Sequence, residues 1–362
     1  MEENKIRIAI THGDTNGIGY ETIFKAFADP AILELCTPII YGSPKVAAYH
    51  RKSLDMQANF AIISKAEDAK DNRLNMLTCF DEEVKVDIGV PTKVSYIAAR
   101  KALDRALADH AVGLFDALVT SPMTNEVGPE DGTTATTPLQ YIERASGNAG
   151  KGLVIHVNDS LRIASVTGDI PLGDALREIR KDLIVEKATV FFNSLRRDFR
   201  IPNPRIALLQ VNLVAGPEEE EILKPAITEL NNAGIGIYGP YPVDEFFSHY
   251  EHTLFDGTLA IYQSQAMTPL RMLAEEGRVM LTAGLPIVHT APGFGPCFES
   301  AGLGTADESA LRDAIYLAID TFRYRKEHDE PLSNPLKKLY HEKRDESEKV
   351  RFSIPKKHEP HA

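Results

Sequence analysis

Residues 6–21 read Ile6-Arg7-Ile8-Ala9-Ile10-Thr11-His12-Gly13-Asp14-Thr15-Asn16-Gly17-Ile18-Gly19-Tyr20-Glu21. The apolar run over residues 5–10 is rich in isoleucine, and it passes into a glycine-studded turn. A helical pattern follows to about Phe27. Strand, turn and helix in that order open a βα unit. The succession recurs downstream. Residues 37–41 form an apolar run before Gly42-Ser43-Pro44 and a helix. Proline is harmless at that helix start, because its missing N–H would have no partner there. Residues 94–111 read as an amphipathic helix feeding Asp116-Ala117-Leu118-Val119-Thr120-Ser121-Pro122, a strand that stops at a polar loop. Further strand-like runs cover residues 152–157, 161–166, 205–211, 258–261 and 277–282. Helical patterns fall between most of them, as at 172–195 and 218–233. Strands alternating with helices predict a largely parallel α/β sheet covered on both faces.

With 362 residues and 43% hydrophobic content, the chain can bury a large core without disulfides or structural metal. That length suits two domains or one elaborated α/β unit. Disorder, collagen-like repeats and disulfide scaffolds are excluded by composition. A net charge of −12 argues against nucleic acid as a partner, since phosphate binding wants clustered Lys and Arg. No apolar run approaches the ~20 residues of a bilayer span. Met1-Glu2-Glu3-Asn4-Lys5 leads straight into the first strand, so no signal peptide is expected. Cys36, Cys79 and Cys297 are scattered and odd in number, the pattern of reduced thiols in a cytoplasmic protein. Residues 326–362 are dense in charge and proline. They read as a solvated or loosely docked tail, with a partner-binding arm as the sharper alternative.

Individual motifs leave two readings open. The turn from Gly13 to Gly19 is the best phosphate-loop candidate, but it matches neither GxGxxG nor GxxxxGK[ST] and reads equally as a tight βα turn. The acids Glu218 to Glu221 suit the first turn of a helix better than a metal site. Asp169 sits at a strand-to-helix junction as an N-cap or a ligand, caps being commoner. His249 and His252 have metal-like spacing without a third ligand in register. Gly284-Leu285-Pro286 and Gly293-Phe294-Gly295-Pro296 are candidate pocket walls. The residues alone describe an α/β protein with Gly-rich strand-end loops, where ligands of open sheets bind.

Taken in order, the loops resemble the 4-hydroxythreonine-4-phosphate dehydrogenase family of pyridoxal phosphate biosynthesis, over residues 6–325. The resemblance rests on Thr11-x-Gly13-Asp14-x-Asn16-Gly17-Ile18-Gly19-x-Glu21, the 116–122 strand, Asn158-Asp159-x-Leu161-Arg162 and Val166-Thr167-Gly168-x-Ile170-Pro171. It continues through Gly239-Pro240-Tyr241-Pro242-x-Asp244-x-Phe246-Phe247, Thr282-Ala283-Gly284-Leu285-Pro286-Ile287-Val288 and Ala301-Gly302. It implies a two-domain α/β/α architecture similar to the isocitrate and isopropylmalate dehydrogenases. On this chain the domains would be 1–136 with 278–325, and 137–277, followed by the tail. It also implies a homodimer whose interdomain cleft is completed by the partner subunit. The implied reaction is NAD-dependent oxidation of a phosphorylated hydroxy amino acid followed by decarboxylation. A divalent metal on three histidines acts there as Lewis acid.

The departures fall on the working positions. The family's Gly-His-Thr-Glu substrate motif corresponds to Thr137-Pro138-Leu139-Gln140. The three metal histidines correspond to Asp169, Val214 and Gln263. The substrate lysine, asparagine and arginine correspond to Arg271, Met280 and His289. A cofactor loop, Asp-His-Gly-Thr, is here Gly293-Phe294-Gly295-Pro296. Valine has no lone pair to give a metal, and a neutral amide oxygen replaces imidazole poorly. Asp169 permits an oxygen-rich Mg²⁺ site, while Arg271 and a protonated His289 would keep an anion in the pocket. Two functions follow: an enzyme of this family with a rearranged site, or a non-catalytic homologue that binds an anion or pairs with an active paralogue.

Overall fold

A computed structural model describes residues 5–80, 83–124, 138–273 and 278–334. The strands are β1 (Ile6–Thr11), β2 (Cys36–Gly42), β3 (Ala61–Ile63), β4 (Asn75–Thr78), β5 (Ala117–Thr120) and β6 (Leu153–Val157). They continue as β7 (Arg162–Ser165), β8 (Ile206–Leu209), β9 (Ile237–Tyr241), β10 (Gly257–Ala260), β11 (Val279–Ala283) and β12 (Val288–Pro292). Among the described residues they form one sheet, in the order β3-β4-β2-β1-β5-β12-β11-β6-β7-β10-β8-β9. Pairing is parallel except at β12–β11, β11–β6 and β6–β7. The expected largely parallel α/β sheet is therefore present, with antiparallel strands only at its middle.

Buried strands covered on both faces read as continuous apolar runs, and both faces here carry cores. In β1, Ile8 and Ile10 enter the core formed with the helices Gly19–Ala26 and Ser309–Ser333. Ala9, pointing the other way, meets Ala102, Leu103 and Ala106 of the helix Lys93–Ala111. The alternation repeats in β8. Ile206 and Leu208 pack with the helices Lys181–Arg197 and Lys224–Asn232. Ala207 and Leu209 pack with Phe246 and with Ala266 and Leu270 of the helix Gln263–Leu273. Ser43 caps the helix Pro44–Ser53 with proline in its first turn, as expected.

The opening turn proves to be architecture. Every residue from Gly13 to Gly19 is buried. Four of its backbone donors bond within the protein: Asp14 N–H on the Pro122 carbonyl, Gly17 on Asp14 and Ile18 on Pro296, and Asn16 on the Asp14 carboxylate at 2.9 Å. No donor in that set is left to cradle a phosphate. Gly13 is required because φ is +72° and a Cβ would lie 2.4 Å from the Pro122 carbonyl oxygen.

Two helical expectations change. The helix read over 172–195 is broken into Leu172–Glu178 and Lys181–Arg197, because Ile179 and Arg180 are extended. The acids before Lys224 form a π turn, Glu219–Leu223. There the fully buried Glu219 accepts N–H bonds from Val211, Asn212 and Gly216. The glutamate run thus shapes the 211–216 loop. The last helix continues through Ser333, past the Lys326 boundary of the charged tail; residues 335–362 of that tail lie outside the described residues.

A buried ion pair ties the last helix to the end of the helix Lys181–Arg197. Arg325 Nε donates to Asp198 at 2.7 Å, and its Nη1 donates to the Leu285 carbonyl at 3.1 Å. Both side chains are almost fully buried, and Ser194 Oγ adds a bond to Asp198 at 2.6 Å. Removing one partner leaves a buried charge uncompensated. Arg325→Met is expected to cost about 3–5 kcal/mol in urea unfolding. The double variant with Asp198→Leu should recover part of that loss. Equal destabilisation in the single and double variants would contradict this account.

Candidate functional site

A cavity of about 430 Å³ opens where β5, β7, β10 and β12 end. That is the edge at which parallel α/β sheets present ligands, and the size suits a small molecule. Its floor is built on the three central strands. His289 of β12 is 5% exposed and bridges two hydroxyls. Its Nε2 lies 2.9 Å from Thr120 Oγ1 of β5, and its Nδ1 lies 2.8 Å from Thr282 Oγ1 of β11. Burial pushes its pKa down to about 4. A neutral imidazole has one donor and one acceptor nitrogen, so the two threonines satisfy it completely. Met280 of β11 adds a thioether to the same lining.

The opposite wall comes from β6, β7 and the segment after β10. Gln263 Oε1 accepts a hydrogen bond from Ser165 Oγ at 2.5 Å, and its Nε2 lies 3.5 Å from His156 Nε2. His156 is buried on β6. Desolvation, and then the positive fields of Arg278 and Arg271, push its pKa down to about 4. Nothing in its isolated position on an apolar strand marked it in the sequence; only the antiparallel pairing with β11 brings it to the cavity. Lys187 Nζ donates to the carbonyls of Gly150 and Gly152 at 2.7 and 3.1 Å. Glu143 accepts the N–H groups of the same two glycines at 3.2 and 2.7 Å. The two side chains clasp one loop, and both border the cavity.

The residues singled out in the sequence divide as follows. Leu139, Asp169, Gln263, Met280, His289 and Gly295 all line the cavity. Arg271 lines an adjoining space of about 340 Å³ that shares Asp169, Ile170 and Gln263 with it. Gly293 lies just outside, its N–H bound to the Arg278 carbonyl at 2.7 Å. Pro138 begins the helix Pro138–Ala145, and Thr137 lies outside the described residues. Val214 is 84% exposed and borders neither space. Asp169 does not cap the following helix, whose N-cap is Pro171. The expectation that a charged His289 would hold an anion is corrected by its burial and by its two threonine partners.

A metal fits this set poorly. Among the described residues no group of three His, Cys, Asp or Glu side chains is placed to hold an ion, which also covers His249 and His252. The Gln263 oxygen is engaged by Ser165, and Val214 offers no donor. A sequence profile described as "Pyridoxal phosphate biosynthetic protein PdxA" matches residues 34–318.

The chain belongs to the PdxA family.

It is 47% identical over 358 residues to a 4-hydroxythreonine-4-phosphate dehydrogenase of Bacteroides thetaiotaomicron, covering 97% of this chain and 98% of that one. It is 29% identical to a D-threonate 4-phosphate dehydrogenase of Cupriavidus necator, covering 85% and 95%. Among solved structures, a 4-hydroxythreonine-4-phosphate dehydrogenase from Klebsiella pneumoniae superposes with a TM-score of 0.73 at 25% identity, covering 89% and 99%. The PdxA fold read from the loops is thereby established. No helix among the described residues is long and apolar enough to cross a membrane.

The buried histidines set a pH dependence. His12, lowered to about 3 by burial and then by His50, behaves like His156 and His289. In each, the folded pKa lies below the unfolded value near 6.5, so the unfolded chain takes up protons that the folded chain refuses. Stability should be complete above pH 6.5 and lost on acidification toward pH 4. The loss is up to about 1.4 kcal/mol per histidine for each pH unit crossed. Urea midpoints at pH 7.5 and 5.0 should show it, and His289→Gln should flatten the slope. An unchanged slope in that variant would contradict the neutral, buried imidazole.

Proposed function

We propose that this PdxA-family chain acts through the strand-end cavity on a small hydroxylated ligand, with a nicotinamide dinucleotide as redox partner and without the family's histidine-held metal. The observation that carries the reading is the composition of the two walls. Hydroxyl and imidazole groups of Thr120, His289 and Thr282 face a wall of Gln263, Ser165 and His156. The threonine hydroxyls, Ser165, Gln263 and His156 bind and orient an alcohol or a carbonyl by hydrogen bonds, with His289 holding the two threonines in place. Gly295 has open space where a Cβ would stand, which lets a flat ring approach the backbone at the cavity rim. A nicotinamide dinucleotide would supply hydride acceptance there; the chain's own residues position the hydroxyl and exclude water.

The family's metal-assisted step is not carried by these residues. Losing one group that stabilises a developing oxyanion typically costs ~10²–10³ in rate. A second reading, a non-catalytic homologue that holds a ligand or pairs with an active paralogue, is favoured by Val214 and by the engaged Gln263 oxygen. Both readings keep a homodimer and the domain division 1–136 with 278–325 against 137–277. Leu172, Leu176, Leu213, Val214 and Met272 are exposed apolar side chains of the second unit, of the kind that a second copy would cover.

The purified chain is expected to carry substoichiometric zinc, manganese or cobalt. With NAD and 4-hydroxythreonine 4-phosphate, NADH formation should run at least ~10²-fold below that of a three-histidine relative. Metal analysis and absorbance at the NADH band read both. Stoichiometric metal with rapid turnover would overturn the metal-free reading. Turnover with neither metal nor loss of rate would remove the non-catalytic one.

A further inference from the structure

We infer that Thr120, His289 and Thr282 form a proton relay across the cavity floor, through which the hydroxyl proton of a bound alcohol leaves. The inference rests on the reading of this cavity as an alcohol-oxidising site and deepens it. All three side chains line the cavity, and none is more than 5% exposed. The imidazole is bonded at both nitrogens, at 2.9 Å to Thr120 Oγ1 and at 2.8 Å to Thr282 Oγ1. A neutral ring has one N–H and one bare nitrogen, and each hydroxyl has a single hydrogen. The two threonines therefore have opposite polarity. With the proton on Nδ1, Thr120 donates to Nε2 and shows the cavity only lone pairs. Thr282 then accepts from Nδ1 and keeps its own hydrogen for a further partner. With the proton on Nε2 the roles exchange. Passing between the two arrangements admits a proton at one threonine and releases one at the other, and the ring is never charged.

Ser121 sets the direction. It follows Thr120, lines the same cavity and is 1% exposed, and its hydroxyl makes no hydrogen bond among the described residues. A ligand hydroxyl that accepts from Ser121 Oγ can donate to Thr120 Oγ1. In the oxidation proposed above, the carbon of that hydroxyl gives up a hydride to the nicotinamide ring as its C=O bond forms. The O–H bond breaks toward Thr120 Oγ1, and the Thr120 hydrogen moves to Nε2. The Nδ1 hydrogen moves to Thr282 Oγ1, whose own hydrogen passes to solvent in the cavity. One hydride and one proton have left the alcohol, and the relay holds as many protons as before. The end state suits the product, since Thr120 now has a hydrogen to donate to the carbonyl oxygen. Burial disfavours an imidazolium at this position. It thereby hinders a histidine that works alone as a base and leaves the neutral shuttle open. His289 acts through the two hydroxyls and is a positioning residue.

The first measurement needs no dinucleotide or substrate: nitrogen-15 NMR of the full-length chain with labelled histidine at pH 7.5, the His289 signals being those lost in His289→Gln. Thr120→Val leaves Thr282 as the partner of the ring, and a buried N–H without a partner is the costlier orphan. That variant should hold the proton on Nδ1 and Thr282→Val should hold it on Nε2, while the unaltered chain exchanges between the two. The same tautomer in both variants, or a doubly protonated ring, overturns the inference. The second measurement is NADH formation from NAD and 4-hydroxythreonine 4-phosphate. Each valine variant should lose at least ~10²-fold in kcat, and Thr282→Val, remote from the reacting oxygen, should do so with KM little changed. The double variant should lose no more kcat than Thr120→Val, because a relay cut once is already cut. Thr120→Ser and Thr282→Ser, which keep the hydroxyl, should recover most of the rate. Losses that multiply in the double variant, or a valine variant at full rate, overturn the inference. An unaltered chain that forms no NADH marks the failure of the site reading instead, and the tautomers then decide the relay by themselves.

Discussion

Continuity of one sheet across β12, β11 and β6 is the constraint on which the rest of the molecule depends. Parallel strands stand on either side of this antiparallel seam, with helices on both faces. The seam brings His289, Thr282, Met280 and His156 onto neighbouring strands, and the ends of the flanking parallel strands supply Thr120 and Ser165. A shift of one residue in the seam would turn each of these side chains to the opposite face. The cavity is thus a by-product of how two parallel halves are joined. The pair Asp198–Arg325 fastens the joint from behind through the Leu285 carbonyl.

The chemistry of the cavity is set by burial as much as by residue type. A surface histidine would titrate near neutrality and greet an anion. His289, shut between two threonine hydroxyls, stays neutral and acts as a spacer that fixes both. Lys187 and Glu143 show the same principle with opposite signs, since each buried charge is spent on backbone groups of one glycine-rich loop. Membership of the PdxA family explains the scaffold.

Several elements escaped a reading of the chain for identifiable reasons. β3 has three residues and lies at a sheet edge. β9 runs through Gly239-Pro240, a pair that reads as a turn. β12, Val-His-Thr-Ala-Pro, is wholly buried although two of its five residues are polar. Its polar side chains are satisfied only by partners distant in the chain, such as Thr290 by the Ala314 carbonyl at 2.8 Å. The break between Leu172–Glu178 and Lys181–Arg197 has no proline or glycine to announce it.

What the amino-acid order determined by itself was the alternation of strand and helix, the two-faced burial of the sheet and the family. These are carried by local periodicity and by loop motifs, which are properties of short stretches of chain. What only the tertiary structure decided was the use of particular side chains. Gly13 to Gly19 became a packed, buried turn in which Pro122 and Pro296 accept the N–H groups of Asp14 and Ile18. Val214 fell outside the cavity, His156 entered it, and His289 lost its charge. Each of those outcomes depends on groups far away in sequence, whose meeting sets desolvation and hydrogen bonding at the site.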